Sequence, residues 1–150
     1  KPPVTTYTDY MQALYEVPGI KKRFDSLAIH PYSANVSGMV DQLREARSVA
    51  RSFGDRKVGL WITEIGWASG GPRQEPYVKG DNGQARLLEK AYDKVLRKRR
   101  AFRLRGVFWY SWRDKGGGGR ICAWCGHAGL RNADGSAKPA WEAFVKVASG

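Results

Sequence analysis

Apolar residues follow two spacings along this sequence, and the two spacings predict different elements. Three short runs are almost continuously apolar, which is typical of buried β-strands. They are Leu27-Ala28-Ile29 within residues 24–32, residues 58–65 and residues 107–112. In four other segments apolar residues recur about every 3.6 positions, the period of a helix, which predicts amphipathic helices. These segments are residues 9–16, 37–53, 82–102 and the stretch that begins at 139.

Residues that begin or end helices lie at the boundaries of these segments. Asp9 is a candidate N-cap for the first helix, and Asp81 or Asn82 can cap the third. Gly54 stands where a left-handed C-terminal cap would end the second helix. Pro139 suits the first turn of the last helix, because its nitrogen has no hydrogen to leave unsatisfied. The predicted order is therefore a leading helix followed by three strand–helix pairs.

The alternation of strands and helices predicts an α/β fold in which right-handed crossovers build a parallel sheet. Only three strands are convincing, because residues 2–8 make a poor fourth. A three-stranded parallel sheet leaves unpaired backbone groups along both edges. We therefore expect a partner that covers those edges, which includes self-association of this chain, or a place for the chain within a larger fold.

The composition allows one folded domain, which we place at residues 1–150. Of the 150 residues, 42% are hydrophobic and 12% are aromatic, and this is enough for a core. No apolar run approaches the ~20 residues that a membrane span requires, so we expect no membrane partner. The first residues lack the apolar segment of a secretory signal peptide, so an exported form would carry its signal outside this sequence.

The charge is strongly basic and unevenly distributed. The 26 Lys and Arg residues exceed the 14 Asp and Glu residues, which gives a net charge of +12. Seven of the cations lie within residues 94–105, where no acidic residue occurs. Cations near a helix C-terminus are favoured by the helix dipole, so a solvated outer face is the simpler interpretation. The alternative is a surface that binds a polyanion, although nucleic acid is not the partner that we expect.

Polar and aromatic residues follow the predicted strands. In a parallel α/β fold the carboxyl ends of the strands form the active-site edge. His30 and Tyr32 end the first strand, Glu64 lies near the end of the second, and Tyr110 and Trp112 end the third. A carboxylate at the end of an apolar strand is costly unless donors or cations hold it. Glu64 is therefore either bonded to backbone amides or an arginine, or it is a reactive group beside aromatic platforms of the kind that carbohydrate sites use.

The motifs around these residues resemble clan A glycoside hydrolases, the retaining (β/α)₈-barrel glycosidases that include families 5 and 39. The sequence WITEIGW at residues 61–67 resembles the strand that carries their nucleophile, and FDSLAIHPY at 24–32 resembles their sixth strand. Residues 83–85 resemble part of the seventh helix, 107–114 the eighth strand, and 129–144 the closing loop and helix. The similarity runs in order along nearly the whole chain.

The resemblance implies that the chain is a partial TIM (β/α)₈ barrel with about three to four C-terminal βα units. It also implies hydrolysis of O-glycosyl bonds in an oligo- or polysaccharide by a retaining mechanism, with Glu64 as the nucleophile. The acid/base glutamate of the family follows an Asn at the end of the fourth strand, and neither Glu75 nor Asp114 matches that position. We therefore expect the chain to need the missing N-terminal half-barrel, and to be inactive alone.

The same resemblance implies roles for the residues around the nucleophile. Tyr32 would hydrogen-bond the nucleophile and His30 a sugar hydroxyl, whereas each is otherwise a satisfied structural polar group. Tyr110 and Trp112 share strand parity and would face the sugar. Trp67 would be a stacking platform or would pack in the core. Two carboxylates suffice for the chemistry, so we expect neither a metal nor a cofactor.

Cys122 and Cys125 lie in the loop before the last helix and allow several arrangements. A c-type haem site is excluded, because Gly126 rather than a histidine follows the second cysteine. A zinc site would use both cysteines, His127 and a fourth ligand. The remaining arrangements are free thiols and a local disulfide, and a disulfide would fit an extracellular protein.

A second class of function stays open. The chain can also be a non-catalytic module, derived from such a barrel, that binds carbohydrate or a polyanion. A strand that ends in Asn-Glu upstream of Lys1 would indicate the enzyme. Salt-sensitive binding to a polyanion that does not depend on Glu64 would indicate the module.

Overall fold

A computed structural model describes residues 6–116 and 122–149 of the chain. These residues form five α-helices, three β-strands and two 3₁₀ turns at Ile20–Lys22 and Cys125–His127. The helices and strands are, in order, α1 (Tyr7–Glu16), β1 (Ser26–Ile29), α2 (Val36–Ser52), β2 (Gly59–Ile65), α3 (Gly80–Arg97), α4 (Arg99–Phe102), β3 (Leu104–Trp109) and α5 (Pro139–Ser149). Strands and helices alternate along the chain, as the sequence predicts.

The three strands form one parallel sheet in the order β1-β2-β3. Leu27 of β1 pairs with Leu60 of β2, which in turn pairs with Leu104 of β3. The chain passes through at least one helix between each strand and the next, because parallel neighbours need a long crossover connection. The predicted α/β fold with a parallel sheet is therefore confirmed.

One face of the sheet is covered by helices and forms the core. Leu60 and Ile62 alternate with Trp61 along β2, and both are fully buried. The main buried cluster lies between the sheet and helices α2, α3 and α4. It contains Met39, Val40, Leu43, Ile62, Ile65, Trp67, Ala91, Val95 and Phe102. Helix α1 packs against α2, and α5 packs against α3. Because each buried Leu or Ile contributes about 1.5–3 kcal/mol, this layer supplies much of the stability.

The opposite face of the sheet is bare in the described part of the chain. Trp61 of β2 and Phe108 of β3 stack there with ring centroids 6.1 Å apart, and 36% and 54% of their surfaces are exposed. Gly106 lies under the Trp61 ring, where a Cβ atom would come within 2.3 Å of it. The apolar runs suggest strands buried on both faces, but in the described residues only one face is covered. The exposed Trp61 and Phe108 explain why these strands carry apolar residues at positions that face either side of the sheet.

Several helix ends differ from those predicted. Thr6 rather than Asp9 caps α1, and Asp9 completes a capping box by accepting from the Thr6 nitrogen. Helix α3 begins at Gly80 without a side-chain cap, so Asp81 and Asn82 lie inside its first turn. The left-handed Gly54 and the start of α5 at Pro139 are confirmed.

Two strand predictions also change. Strand β3 begins at Leu104 and ends at Trp109, so the predicted run at 107–112 covers only its second half. Of the weak fourth strand, residues 2–5 lie outside the described residues, and Tyr7 already belongs to α1. Within the described ranges, no helix combines the length and the apolar character that crossing a membrane would require.

Candidate active site

Glu64 lies near the carboxyl end of β2, the middle strand. At this point the pairing of β2 with β3 shifts by one residue. Strict alternation would aim its side chain with Leu60 and Ile62 into the helix-covered core. However, Ile62 pairs with Val107 and Ile65 pairs with Trp109, so β2 carries one residue more than β3 over this stretch. Such irregularities re-aim side chains, and here 38% of the Glu64 side chain is exposed. The shift thus brings a carboxylate to the edge of the sheet.

Two residues that follow β1 hold this carboxylate. The Tyr32 hydroxyl donates a hydrogen bond of 3.0 Å to Glu64 Oε2, and His30 Nδ1 lies 3.4 Å from the same oxygen. His30 continues the exposed alternation of Ala28, so its ring reaches the same edge of the sheet. In the described part of the chain no arginine or lysine pairs with Glu64. The structure therefore does not support the interpretation of Glu64 as an arginine-locked structural residue.

The Tyr32 hydroxyl is held as a neutral donor. Burial raises the pKa of Tyr32 well above its usual value, and the hydrogen bond to Glu64 and the negative charge of that carboxylate raise it further. A phenol with a raised pKa keeps its proton at neutral pH. Because a carboxylate can only accept, the proton of this bond stays on Tyr32.

Behind Tyr32 lies an aromatic cluster that the sequence pattern does not reveal. The Trp124 ring meets Tyr32 edge-on with centroids 5.3 Å apart, and it stacks on Tyr77 at 4.8 Å. Tyr110 also meets Trp124 edge-on, with centroids 6.4 Å apart. Trp124 is buried, so it supports Tyr32 and Tyr110 rather than facing a ligand. The only signal for it in the sequence is an aromatic residue between two cysteines in a predicted loop.

The loop that carries Trp124 is closed and anchored. A disulfide joins Cys122 to Cys125. The His127 carbonyl accepts from the Ser69 nitrogen at 3.0 Å, and the Ala128 carbonyl accepts from Trp109 Nε1 at 3.0 Å. No group of three metal-binding side chains occurs within the described residues, so the zinc arrangement for Cys122, Cys125 and His127 is not formed.

Tyr110 reaches the site because the chain passes close to β2. Its nitrogen donates to the Ile65 carbonyl at 2.8 Å, which extends the β2–β3 pairing by one bond. Gly66 permits this approach, since a Cβ atom there would lie 2.2 Å from the Tyr110 carbonyl oxygen. Tyr110 and Tyr32 both meet the Trp124 ring edge-on, so the two tyrosines belong to one aromatic cluster.

Two of the proposed sugar-contacting residues lie elsewhere. Trp67 is 0% exposed within the core, and its Nε1 donates to the Ser33 carbonyl at 2.8 Å. It is a core residue because the chain returns to the helix-covered side after the register shift. Trp112 is exposed, but its ring packs edge-on against Trp141 of α5, and Arg131 lies over it at 5.5 Å. The structure therefore gathers His30, Tyr32, Glu64 and Tyr110, and not Trp67 or Trp112.

The two other carboxylates near the strand ends do not join Glu64. Asp114 Oδ2 forms an ion pair of 2.6 Å with Lys138, and its Oδ1 accepts from the Gly129 nitrogen at 2.7 Å. Glu75 takes part in a backbone turn, where its carbonyl accepts from the Val78 nitrogen. Among the described residues, only Tyr32 and His30 contact the Glu64 carboxylate through polar atoms.

Comparison with known proteins locates this arrangement within a larger fold. No family model and no curated protein matches the sequence. Among solved structures, 95% of the chain superposes on 31% of a family 39 glycoside hydrolase from the gut symbiont Bacteroides cellulosilyticus WH2, with a TM-score of 0.64 and 24% identity. The chain has the fold of a partial (β/α)₈ barrel. As the resemblance of its motifs implies, the structures that it matches are clan A glycoside hydrolases.

Two further structures show the same correspondence. A GH5_18 protein from Bifidobacterium longum subsp. infantis matches 83% of the chain over 30% of its own length, with a TM-score of 0.65 and 16% identity. A family 17 β-1,3-glucanosyltransferase from Rhizomucor miehei matches 85% of the chain over 47% of its own length, with a TM-score of 0.59 and 18% identity. The chain therefore spans between about a third and a half of these structures.

Proposed function

We propose that this chain provides the nucleophile strand and part of the sugar site of a retaining glycoside hydrolase that acts on an oligo- or polysaccharide. One observation carries the proposal. Glu64 is a partly exposed carboxylate at the carboxyl end of a parallel sheet, where Tyr32 donates to it and His30 lies beside it. The fold shared with clan A glycoside hydrolases supports the same assignment.

The proposed reaction is a double displacement. A Glu64 oxygen attacks the anomeric carbon, and the bond to the leaving oxygen breaks as that oxygen takes a proton from a second carboxyl. Water then attacks the same carbon, gives a proton back to the second carboxyl, and releases Glu64 as a carboxylate. Two inversions at one carbon give net retention. Oε2 is occupied by Tyr32, so Oε1 is the oxygen that we assign to the attack.

Tyr32 and His30 have separate proposed roles. The Tyr32 hydroxyl fixes the rotation of the Glu64 carboxylate, because a single strong bond to one oxygen sets where the other points. His30 is half exposed, so its second ring nitrogen is available to a sugar hydroxyl. Tyr110 packs against Trp124, as Tyr32 does, and we assign it to stacking against the sugar ring.

We propose that the second carboxyl comes from outside these 150 residues. Asp114 is held in a buried ion pair with Lys138, and Glu75 makes no polar contact with Glu64 within the described structure. Two of the structures that the chain matches are about two and about three times as long as the chain. Without that carboxyl, the protonation of the leaving group has no donor, so we expect little activity from the chain alone.

The surfaces that the rest of a barrel would cover are apolar. Trp61 and Phe108 lie on the bare face of the sheet. Beside β1, a cleft of about 310 Å³ opens against α1 and is lined by Tyr10, Met11 and Leu14 together with the strand. We propose that the missing half-barrel, or a second copy of the chain, covers these surfaces. An extracellular location is part of the proposal, and the disulfide supports it because disulfides persist in oxidising compartments.

The test uses 2,4-dinitrophenyl β-glycosides of several sugars, whose leaving group needs no proton. Glu64→Ala should abolish turnover, and azide should restore it with a product of inverted configuration. Tyr32→Phe should lower kcat about 10–100-fold, because a hydrogen bond to a charged group contributes about 1.5–3 kcal/mol. Glu75→Ala is the matched control and should leave kcat unchanged. A 2-deoxy-2-fluoro glycoside that labelled a carboxylate other than Glu64 would refute the assignment.

The non-catalytic hypothesis gives different results in the same experiment. A binding module would retain affinity for an oligosaccharide and give neither turnover nor a covalent label with any activated glycoside. Glu64→Gln would then change the affinity only modestly, since the sugar contacts would come from the aromatic residues and His30. The label on Glu64 is therefore the measurement that separates the two functions.

A further inference from the structure

A second surface of distinct chemistry lies at the opposite edge of the sheet from Glu64. Four arginines surround an open cleft of about 350 Å³ at the amino end of β3. We name this surface the arginine cleft. Its lining consists of Arg99, Arg100, Arg103, Leu104 and Arg105. Because these residues precede or begin β3, the cleft is separated from Glu64 by the length of the strands.

Two irregularities of the backbone, one at Arg103 and one at Arg105, occur among the residues that line the arginine cleft. Arg103 is the only non-glycine residue of the described chain with a positive φ, at 52°, and its Nε donates to the Lys57 carbonyl at 2.9 Å. Left-handed backbone costs a non-glycine residue about 1 kcal/mol or more, so the surroundings must hold it there. Arg105 lies on a register shift between the pairs Leu60–Leu104 and Trp61–Gly106. It is the residue left unpaired, which frees its side chain from strict alternation.

The charge of the arginine cleft is not neutralised. None of its four arginines forms an ion pair within the described structure, whereas Arg97 pairs with Asp93 at 2.6 Å on the neighbouring helix face. Behind the cleft, burial lowers the pKa of Arg47, and the positive charges of Arg51 and Arg103 lower it further. Arg103 thus lies close enough to Arg47 for the two cations to repel each other, while Asp55 and Tyr15 act on the Arg47 pKa in the opposite direction.

We infer that the arginine cleft binds oxyanion groups, carboxylates or sulfate esters, carried by an anionic polysaccharide. Guanidinium groups are planar donors that match such oxyanions in paired hydrogen bonds. No aromatic side chain of the described chain lines the cleft, so it lacks the platform on which nucleic-acid bases stack. Helix α4 has four residues and is too short to lie along a duplex groove. The choice of a polysaccharide as the carrier rests on the proposed function, while the oxyanion site does not.

The test compares three anionic probes, chosen in lengths that carry the same charge, by calorimetry at several salt concentrations. The probes are a heparin octasaccharide, an oligogalacturonate and a single-stranded DNA. The cleft variant is Arg99→Gln, Arg100→Gln and Arg105→Gln, which leaves the structural bond of Arg103 intact. The control variant is Lys22→Gln, Arg86→Gln and Lys90→Gln, which removes the same charge from exposed positions outside the cleft. Circular dichroism is used to check that both variants fold.

The cleft variant should bind at least one of the two oligosaccharides about tenfold more weakly or worse. The slope of its log affinity against log salt should fall by about two to three, because the variant removes three cations and each lost contact removes about 0.7–0.9 of a released counterion. The control variant should change the affinity less than threefold. Equal losses in both variants, no oligosaccharide binding, or tighter binding of the DNA than of either oligosaccharide would each overturn the inference. The readout is binding, so its failure is distinct from a failure to label Glu64.

Discussion

A buried ion pair next to the disulfide loop offers a direct test of how this structure is held together. Lys138 precedes α5 and Asp114 follows β3, and their charged groups lie 2.6 Å apart with side-chain exposures of 1% and 9%. Lys138 Nζ also donates to Ser69 Oγ at 2.8 Å and to the His127 carbonyl at 3.2 Å. The pair therefore ties together the segments that follow β2 and β3, the disulfide loop and the start of α5.

The magnitude follows from what each substitution leaves behind. Lys138→Met leaves the Asp114 carboxylate buried with only the Gly129 nitrogen as a donor. Removing one partner of a buried pair costs about 3–5 kcal/mol, because the remaining charge is desolvated without compensation. Asp114→Asn keeps an oxygen for Gly129 but leaves the ammonium unpaired, so it should cost a similar amount. In a chain of this size each kcal/mol lowers the Tm by about 2–4 °C, which predicts a decrease of about 6–20 °C.

The assay is thermal and urea unfolding of the two single variants and the double variant. The double variant should be less destabilised than the sum of the single variants by about 1–3 kcal/mol, because neither charge is then left alone. Lys146→Met is the control, since it breaks an ion pair with Glu89 in which the Lys146 side chain is 75% exposed, and it should cost less than about 1 kcal/mol. Single variants that lose no more than this control, or losses that add fully, would refute the reasoning.

Two further predictions concern close packing and ionisation. Gly66→Ala should destabilise the protein by about 1–3 kcal/mol in urea unfolding and reduce turnover, because its Cβ would meet the Tyr110 carbonyl and displace it. An alanine that left both unchanged would contradict the close approach of these two segments. Burial raises the pKa of Tyr92 above its unfolded value of about 10, and its hydroxyl has no hydrogen-bond partner in the described structure. Its contribution to stability is therefore complete below pH 10 and is lost as the pH rises above 10. Tyr92→Phe should be neutral or stabilising at pH 7 and should reduce the loss of urea stability between pH 9 and 11. An alkaline loss that Tyr92→Phe left unchanged would contradict this assignment.

Periodicity was sufficient to predict the layers of the fold but not all of its boundaries. The helical period over residues 37–53 places α2 to within one residue at each end, because an apolar stripe must face the core. Strand β3 is misplaced because it begins with Leu104, Arg105 and Gly106, a charged residue and a glycine that do not resemble a buried strand. Their positions depend on the β2 partner strand, which a local pattern does not contain.

The site was predictable only where strand order alone determines position. His30, Tyr32 and Glu64 meet because parallel strands end at one edge, and their residue types stood out at those ends. Trp124 could not be found this way, since its place behind Tyr32 depends on how a long loop folds back. Trp67 could not be assigned to the core rather than to the sugar site, because the parity of every residue after Ile62 depends on a register shift with no local sequence signal.

The pairing of β2 with β3 connects the two edges at which the proposed sites lie. The β3 partner of a β2 residue lies 44 positions later for Leu60, 45 positions later for Trp61 and Ile62, and 44 positions later again for Ile65. The second register shift thus cancels the first, so the strands keep one apolar layer against the helices while Arg105 and Glu64 leave strict alternation. A single uncancelled shift would move the end of one strand by a residue and turn its side chains to the other face. Tyr110, which follows β3, would then lose its bond to the Ile65 carbonyl, so its place against Trp124 depends on a compensating irregularity at the far end of the same two strands.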